Sequence, residues 1–241
     1  RAVGEVVIFL DDDVLVAPDF VESHVAAHRG SSRRRVAIGY RHRTFGFERE
    51  RVTWDDIVVS EPDDRVEVLG HDGAGVHSHR TPWFFVYSCN FSVTRDESLP
   101  RFDPGFVGWG MEDIEYGYQL HARGYEVVSA PTARALHLED PAPRDPFRCE
   151  VRSLAPTYDS YVRNSIYFMD KYPHDRALSD LIRTDMRWYV RDEARGAWVK
   201  NGYANDVEAV IAWCRRERER EARHTLRHEA HHEKTADAVG E

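Results

Sequence analysis

The sequence predicts an α/β fold in which a mixed sheet is flanked by helices and followed by a helical extension. Residues 6–10 form a short apolar run with β-branched and aromatic side chains, which is typical of a central parallel strand. Three aspartates and an amphipathic segment follow, so strand, acidic turn and helix succeed one another as in an α/β unit. Farther along, apolar residues recur at helical spacing. We therefore predict an α/β core at 1–140, a helical extension at 141–223 and a disordered polar tail at 224–241.

Composition limits the class of protein. The chain has 241 residues, enough for one substantial domain with an appendage, and its net charge of -9 argues against the basic footprint of a nucleic-acid-binding protein. Its 3 cysteines form no CxxC pair, so neither a disulfide framework nor a cysteine zinc site is expected. No apolar run approaches the ~20 residues of a transmembrane helix. We expect a cytoplasmic protein, at most peripheral to a membrane, that binds no nucleic acid.

The middle of the chain alternates between regular segments and an irregular insertion. We predict strands over residues 36–40, 83–87, 88–93 and 125–128, with His137 on a further short extended piece. Residues 40–85 form an insertion of short helices and loop. A helix is predicted from Met111 to about Arg123, because Gly124 then provides a stop signal.

Three consecutive aspartates, Asp11, Asp12 and Asp13, follow the first predicted strand. Neighbouring carboxylates repel one another, which favours a bound cation. In an extended chain alternate side chains point the same way, so Asp11 and Asp13 can converge on one ion while Asp12 faces elsewhere. Carboxylate oxygens suit Mg²⁺ or Mn²⁺ held together with substrate phosphates. The alternative is that the aspartates only stabilise the start of the following helix.

A second motif reads Gly108-Trp109-Gly110-Met111-Glu112-Asp113. Glycines allow the backbone to approach a ligand, and the flat face of Trp109 suits a sugar ring. Glu112 and Asp113 fall in the first helical turn, where the helix dipole stabilises carboxylates. One of the two acids can accept a proton from an acceptor hydroxyl. The preference of acidic residues for the first turn of a helix explains one of these two acids, but it does not explain the glycine- and tryptophan-containing loop before them.

The two motifs together resemble the signature motifs of GT-A glycosyltransferases. Phe9-Leu10-Asp11-Asp12-Asp13 and Gly108-Trp109-Gly110-Met111-Glu112-Asp113 are similar in particular to family-2 enzymes with a galactosyltransferase-type C-terminal module. Those enzymes typically read Trp-Gly-Gly-Glu-Asp at the second motif, where this chain has Met111 in place of a glycine. The segment from Ser88 to Arg95 is similar to the strand that precedes the motif. The resemblance covers roughly residues 1–140 and implies a Rossmann-like GT-A sheet.

The resemblance implies roles on the donor side of the reaction. Asp13 would bind the metal directly, with Asp11 near both the metal and the nucleotide ribose and Asp12 in the donor site. His137 matches a later metal-binding histidine of related enzymes. A histidine after a short strand is more often structural, but neutral imidazole is a good Mn²⁺ ligand beside carboxylates. The implied cofactor is Mn²⁺, or Mg²⁺, and the implied donor is a nucleoside-diphosphate sugar, UDP-linked by preference.

The resemblance also implies roles on the acceptor side. Asp113 would be the general base, Glu112 would hold sugar hydroxyls, and Trp109 with Gly110 would orient the donor sugar and the acceptor. The acceptor would be a glycan or another hydroxyl compound, whose oxygen would displace the nucleoside diphosphate from the donor sugar in a single step with inversion.

The front of a GT-A domain has no counterpart in this sequence. Such domains begin with parallel strands that bind the nucleotide base, and Arg1 lies only a few residues before the first predicted strand. We therefore expect a fragment of a longer protein that is weakly active or inactive alone. Two other functions remain open: a degenerate, non-catalytic carbohydrate- or metal-binding module, and a metal-dependent phosphohydrolase that uses the acidic cluster.

Overall fold

The computed structural model describes residues 2–44, 53–54, 61–138, 146–201 and 203–237, and side chains within these except at 146–157 and 224–237. The chain divides into two compact units. The first comprises Arg1–Phe106 and Met111–Arg152, and the second comprises Val107–Gly110 and Ser153–Glu241.

The first unit is built on a five-stranded mixed sheet. Its strands are β1 (Val6–Leu10), β2 (Val14–Val16), β3 (Arg35–Thr44), β4 (Asn90–Thr94) and β5 (Glu126–Leu138). They lie in the order β1-β4-β3-β5-β2, with β3 and β5 parallel and the other pairs antiparallel. The predicted mixed α/β, Rossmann-like architecture is confirmed.

Helices cover both faces of this sheet. The first unit contains α1 (Phe20–His28), α2 (Val66–Leu69) and α3 (Glu112–Ala122), with short 3₁₀ helices at Ala74–His77 and Pro82–Phe85. One core cluster joins aromatic and branched residues of β3 and β4 to α3, and a second joins α1 to small residues of β5. Each face of the sheet thus has its own apolar layer.

The first strand differs from its prediction. Strand β1 is not a central parallel strand: it lies at one end of the sheet and pairs antiparallel with β4. Phe9 stacks on Phe91 with ring centroids 4.4 Å apart, whereas Leu10 is 43% exposed. A continuous apolar run reports a preference for burial but does not specify which strand lies beside it.

Two further segments also differ. Residues 83–87 were predicted as a strand, but Pro82–Phe85 is a 3₁₀ helix with Pro82 at its first turn, where the missing proline N–H is harmless. Strand β5 is one long strand rather than two short pieces. Its pairing with β3 jumps from Gly39↔Ala130 to Arg41↔Ala135, so Pro131 falls inside an irregularity where no regular hydrogen bond is needed.

The second unit is mostly helical. It contains the continuation of α4 (Pro146–Lys171), then α5 (Arg176–Met186), the hairpin strands β6 (Tyr189–Asp192) and β7 (Ala197–Lys200), and α6 (Val207–Asp237). The hairpin interrupts a region predicted as helical, and Gly196 with φ 63° supplies the left-handed residue of its turn. Helix α6 runs to Asp237, across much of the segment predicted as a disordered tail. Within the described residues, no helix is both long and apolar enough to span a membrane.

Candidate active site

Asp11, Asp13 and His137 converge in the first unit. One ligand atom from each lies within 4.8 Å of the other two, and all three residues are half-buried. The His137 Nε2 atom is 3.3 Å from Asp13 Oδ1. Asp12 is exposed and lies outside this group. The structure therefore brings together the three residues predicted as metal ligands and leaves Asp12 exposed outside the group.

Strand pairing explains the convergence. Asp13 precedes β2, whose first residue, Val14, pairs with His137 on β5. The Leu138 N–H donates a 2.8 Å hydrogen bond to the Asp13 carbonyl, which fixes the backbone register beside the carboxylate. The site thus depends on residues about 120 positions apart, joined by one ladder.

The donor set fits a divalent cation. Burial raises the pKa of Asp11, and the neighbouring Asp13 carboxylate raises it further, while His137 and Arg41 lower it. Two carboxylates and one imidazole are ligands that Mn²⁺ accepts readily and that Mg²⁺ accepts through the oxygens. A cation would relieve the repulsion between the two carboxylates.

Asp113 is held at the start of α3. Its Oδ1 accepts from the Ile114 N–H at 2.7 Å and its Oδ2 accepts from the Ser88 N–H at 3.1 Å. Burial and the adjacent Glu112 carboxylate together raise the pKa of Asp113 to about 6, against the lowering effect of these two hydrogen bonds. A carboxyl group with this pKa is ionised at neutral pH and is a stronger base than an ordinary aspartate.

Close packing sets the position of the Ser88 donor. A Cβ at Gly117 would come within 2.8 Å of the Trp83 carbonyl oxygen and 2.7 Å of the Val86 side chain. Only glycine lets α3 approach the Pro82–Phe85 turn this closely. The segment after that turn is thereby held against the first turn of α3, where Asp113 lies.

Glu112 is half-buried beside Asp113. Its Oε2 atom is buried and has no hydrogen-bond partner among the described residues. An unsatisfied buried carboxylate oxygen costs about 1–3 kcal/mol, which a hydroxyl donor from a ligand would offset. Glu112 can therefore accept a hydrogen bond from a bound sugar.

The metal-type cluster and Asp113 share a neighbour, Cys89. Burial raises the pKa of the Cys89 thiol to about 11, and the charges of both Asp11 and Asp113 raise it while Arg41 lowers it. The thiol lies within electrostatic reach of both acidic groups, so the two predicted halves of the site lie in one region of the first unit. Because its thiol is protonated at neutral pH, Cys89 is no nucleophile here.

The Gly-Trp-Gly loop belongs to the second unit, with residues Val107–Gly110. Gly108 and Gly110 have φ of 79° and 106°, and Cβ atoms there would approach Ser160 and Tyr161 of α4 to 2.4 and 2.7 Å. We predicted that these glycines serve a ligand's approach, but the structure gives them a second reason. They allow the loop to pack against a helix.

Trp109 is presented at the surface of the second unit. Its side chain is 57% exposed, and its ring lies 5.7 Å from that of Tyr161. Asn164 donates to the Gly110 carbonyl at 2.8 Å and accepts from the Val107 N–H at 3.4 Å, which anchors the loop on both sides of the tryptophan. An anchored, exposed aromatic face suits stacking on a sugar.

Met111 adopts a backbone conformation that favours glycine. Its φ is 71°, and among the described residues no other non-glycine residue has a positive φ. Its side chain is buried. Left-handed backbone at such a residue costs roughly 1 kcal/mol. The methionine therefore keeps the loop geometry that a glycine would give while filling apolar space.

Sequence reasoning missed Arg41, which lies close enough to Asp11 and Cys89 to affect the pKa of both. An isolated arginine in a strand carries no local signal, and its position depends on sheet register.

A Rossmann-like mixed sheet that bears an Asp-x-Asp and histidine cluster, with a second acidic pair at a helix start, is consistent with the architecture of GT-A-like glycosyltransferases. The comparisons with known proteins agree with this class. No family model matches the chain. It is 30% identical over 176 residues to validoxylamine A glucosyltransferase of Streptomyces hygroscopicus subsp. jinggangensis, covering 64% of this chain and 40% of that protein.

Two other relatives belong to the same class. The chain is 25% identical over 216 residues to the uncharacterized glycosyltransferase YfnE of Bacillus subtilis, covering 74% of this chain and 52% of that protein. It is 37% identical over 60 residues to the human xylosyl- and glucuronyltransferase LARGE2, covering 25% and 8% of the two chains. The chain spans about half or less of the length of these curated relatives. These homologues are glycosyltransferases, which agrees with the GT-A-like resemblance seen in the sequence, whereas the family-2 and galactosyltransferase-type assignment stays a prediction.

Proposed function

We propose that the protein is a metal-dependent glycosyltransferase that moves a sugar from a nucleoside-diphosphate sugar to an acceptor hydroxyl with inversion. The observation that carries this proposal is the convergence of Asp11, Asp13 and His137 within 4.8 Å, in a unit that also holds the activated carboxylate of Asp113. Homology to glycosyltransferases supports the reaction class.

Asp11, Asp13 and His137 would hold the cofactor, Mn²⁺ or Mg²⁺. When bound, the cation neutralises charge on the diphosphate and so makes the nucleoside diphosphate a better leaving group. The protein's own contribution is to keep two carboxylates half-buried beside an imidazole, at a distance that suits one ion. Asp12, being exposed, is assigned to the donor rather than to the metal.

Asp113 would accept the proton of the acceptor hydroxyl as its oxygen attacks the anomeric carbon. Its two backbone hydrogen bonds fix the carboxylate, and its raised pKa makes it a competent base near neutral pH. Glu112, with its unsatisfied Oε2, would bind a sugar hydroxyl. Attack from the side opposite the leaving diphosphate would invert the anomeric centre.

Trp109 would provide the stacking face for a sugar. Its exposure and the anchoring of its loop by Asn164 support this role. Gly110 would keep the loop in the conformation that presents the ring. The acceptor would be a glycan or another hydroxyl compound, and the donor would by preference carry UDP.

A screen of the intact protein against nucleotide sugars with Mn²⁺ tests this function through the released nucleoside diphosphate. We expect release to require both metal and acceptor, to stop with a chelator, and to fall at least 100-fold in Asp13→Ala, because that change removes a metal ligand. Folding of the variant is checked by its thermal midpoint, which should not fall because the substitution removes a repelling charge.

The outcomes separate the proposed function from the two alternatives. Metal-dependent binding of a nucleotide sugar without transfer to any acceptor would indicate a non-catalytic module. Release of inorganic phosphate would indicate a phosphohydrolase. Full activity of Asp13→Ala would refute the metal site.

A further inference from the structure

The guanidinium of Arg41, at the edge of the proposed donor site, has no hydrogen-bond or ion-pair partner among the residues that the structure describes. The side chain is half-buried, and its Nε atom is buried with no hydrogen-bond partner among the described residues. The guanidinium lies near Asp11 and lowers the pKa of its carboxyl group. Among the described residues, the guanidinium forms no ion pair with any carboxylate. A partly desolvated, unpaired guanidinium is costly to keep in a folded protein.

The carboxylate that contacts the backbone of Arg41 is already paired with another arginine. Asp63 accepts from the Arg41 backbone N–H at 2.6 Å, but its carboxylate is occupied by Arg65, whose guanidinium donates to it at 2.6 and 2.9 Å. Asp63 and Arg65 form a fully buried ion pair. The carboxylate that fixes the backbone of Arg41 therefore does not neutralise its side chain.

Sheet register places Arg41 on the face that carries the proposed metal site. Strands β3 and β5 pair Arg41 with Ala135 and Arg43 with His137. Because alternate residues of a strand share a face, Arg41 lies on the same face as His137, one diagonal position away. The guanidinium thus belongs to the region that holds Asp11 and His137.

We propose that Arg41 binds a phosphate group of the sugar-nucleotide donor, as a second cation beside the metal site. This inference rests on the proposed function, since it names a further donor-binding residue of the same site. A guanidinium presents a planar set of donors that matches phosphate oxygens. Contact with a phosphate would pair the charge of Arg41 and would stabilise the nucleoside diphosphate as it departs.

Arg43 provides a matched control. It lies on the same strand and face, but its guanidinium is 3.8 Å from Glu61, and its backbone exchanges hydrogen bonds with the same residue. Arg41→Gln and Arg43→Gln therefore remove the same charge from neighbouring positions, of which Arg43 has an ion pair and Arg41 has no side-chain partner among the described residues.

The test uses the intact protein and calorimetric binding of UDP and GDP in the presence of Mn²⁺. We expect Arg41→Gln to weaken binding of the preferred nucleoside diphosphate about tenfold or more, while Arg43→Gln changes it by less than about threefold. Arg41→Lys should recover part of the loss because it restores the charge without the planar fork. Binding of Mn²⁺ alone should be kept or strengthened in Arg41→Gln, since a positive charge beside Asp11 is removed.

The results distinguish the inference from the function on which it rests. If the wild-type protein binds neither diphosphate with any divalent metal, the proposed function is overturned, and the role of Arg41 with it. If the wild-type protein binds but Arg41→Gln matches Arg43→Gln, only the role of Arg41 is overturned. Equal weakening of Mn²⁺ and nucleotide binding in Arg41→Gln would show damage to the site's structure and would also overturn it.

Discussion

Two polar clusters in the first unit show how differently one sheet treats its polar side chains. Between α1 and β4, His24 and His28 meet a row of polar residues: Asn90, Ser92 and Thr94. His24, Asn90 and Ser92 are fully buried. The second cluster contains Asp11, Asp13 and His137, and we count with it Arg41 and Asp113 of the same unit; all five side chains are only half-buried.

The first cluster is satisfied by the protein itself. His24 hydrogen-bonds to Ser92 at 2.9 Å and to Asn90 at 2.8 Å, and His28 bonds to Ser92 and Thr94. The Asn90 amide also donates to the carbonyls of Tyr40 and Ala133. These bonds hold β3 and β5 together at the point where their pairing register shifts. A buried network with every member satisfied makes the fold rigid.

The second cluster leaves its charges unbalanced. Asp11 and Asp13 repel one another, Arg41 has no partner within the described chain, and Asp113 is kept near a pKa of 6. Such arrangements reduce stability, and they persist where a ligand or a reaction uses them. Substitutions in the two clusters should therefore have opposite signatures. In the satisfied network they should lower stability, and in the unbalanced cluster they should lower activity.

The largest expected effect is on catalysis in Asp113→Asn. Loss of a general base lowers turnover by roughly 10²- to 10⁴-fold, and we expect Mn²⁺-dependent nucleoside-diphosphate binding to stay within about threefold of wild type. The free energy of unfolding at pH 7 should change by less than about 1 kcal/mol, because relief of the buried charge is offset by the lost acceptor for the Ser88 or Ile114 N–H. Single-turnover kinetics, nucleotide calorimetry and urea denaturation measure the three quantities.

The pH profile provides an independent check on the same residue. Since the pKa of Asp113 is raised to about 6, the base is protonated below that value, and kcat/KM should fall about tenfold per pH unit there. Nucleotide binding measured over the same range serves as the control. If binding falls in parallel with kcat/KM, the loss belongs to the metal ligands, and the assignment of Asp113 as the base is contradicted.

The next effect is on stability in Asn90→Ala. The change removes the donor for the Tyr40 and Ala133 carbonyls and the partner of His24, all inside the core. Unsatisfied buried groups of this kind cost about 2–4 kcal/mol in total. Denaturation by urea should report this loss, whereas Asn205→Ala, at a half-buried amide of the second unit, should cost no more than about 1 kcal/mol.

Activity identifies the source of any loss in Asn90→Ala. Below its lowered thermal midpoint the folded variant should retain metal and nucleotide binding, because the side-chain hydrogen bonds of Asn90 go to His24 and to the carbonyls of Tyr40 and Ala133 rather than to a predicted ligand. A variant with full stability but no metal binding would contradict the division between the two clusters.

The sequence predicted that Asp11, Asp13 and His137 lie together and that α3 begins beside Asp113, but it did not predict the residues that support them. Asp11, Asp13 and Asp113 lie in short motifs whose residue types imply their chemistry, and the start of α3 follows from local signals. The neighbours of β1 could not be predicted, because strand order depends on pairing between distant segments. The Asn90 network and the position of Arg41 depend on the same register, so a single asparagine or arginine in a strand carries no warning of its role.

The smallest effect comes from His28 and concerns the pH dependence of stability. Burial lowers the pKa of His28 to about 4, and the charges of His24 and Arg35 act in the same direction. The unfolded chain takes up a proton near pH 6.5, whereas the folded protein keeps His28 neutral until about pH 4. The stability due to neutral His28 is therefore present above pH 6.5 and is lost as the pH falls from 6.5 through 4.

A variant isolates this contribution from those of the carboxylates. His28→Gln keeps a hydrogen-bonding side chain toward Ser92 and Thr94 but cannot titrate, so the difference in unfolding free energy between wild type and variant should shrink as the pH falls from 6.5 to 4. Carboxylates common to both proteins cancel in that difference. If the unfolding free energies of wild type and His28→Gln run parallel between pH 6.5 and 4, His28 is protonated equally in the folded and unfolded chains. The buried network would then tolerate a charge, as the acidic cluster does. The contrast between the two clusters requires the two unfolding free energies to converge as the pH falls. A hydrogen-bonded network of neutral groups disfavours protonation of His28, whereas the acidic cluster consists of charged side chains.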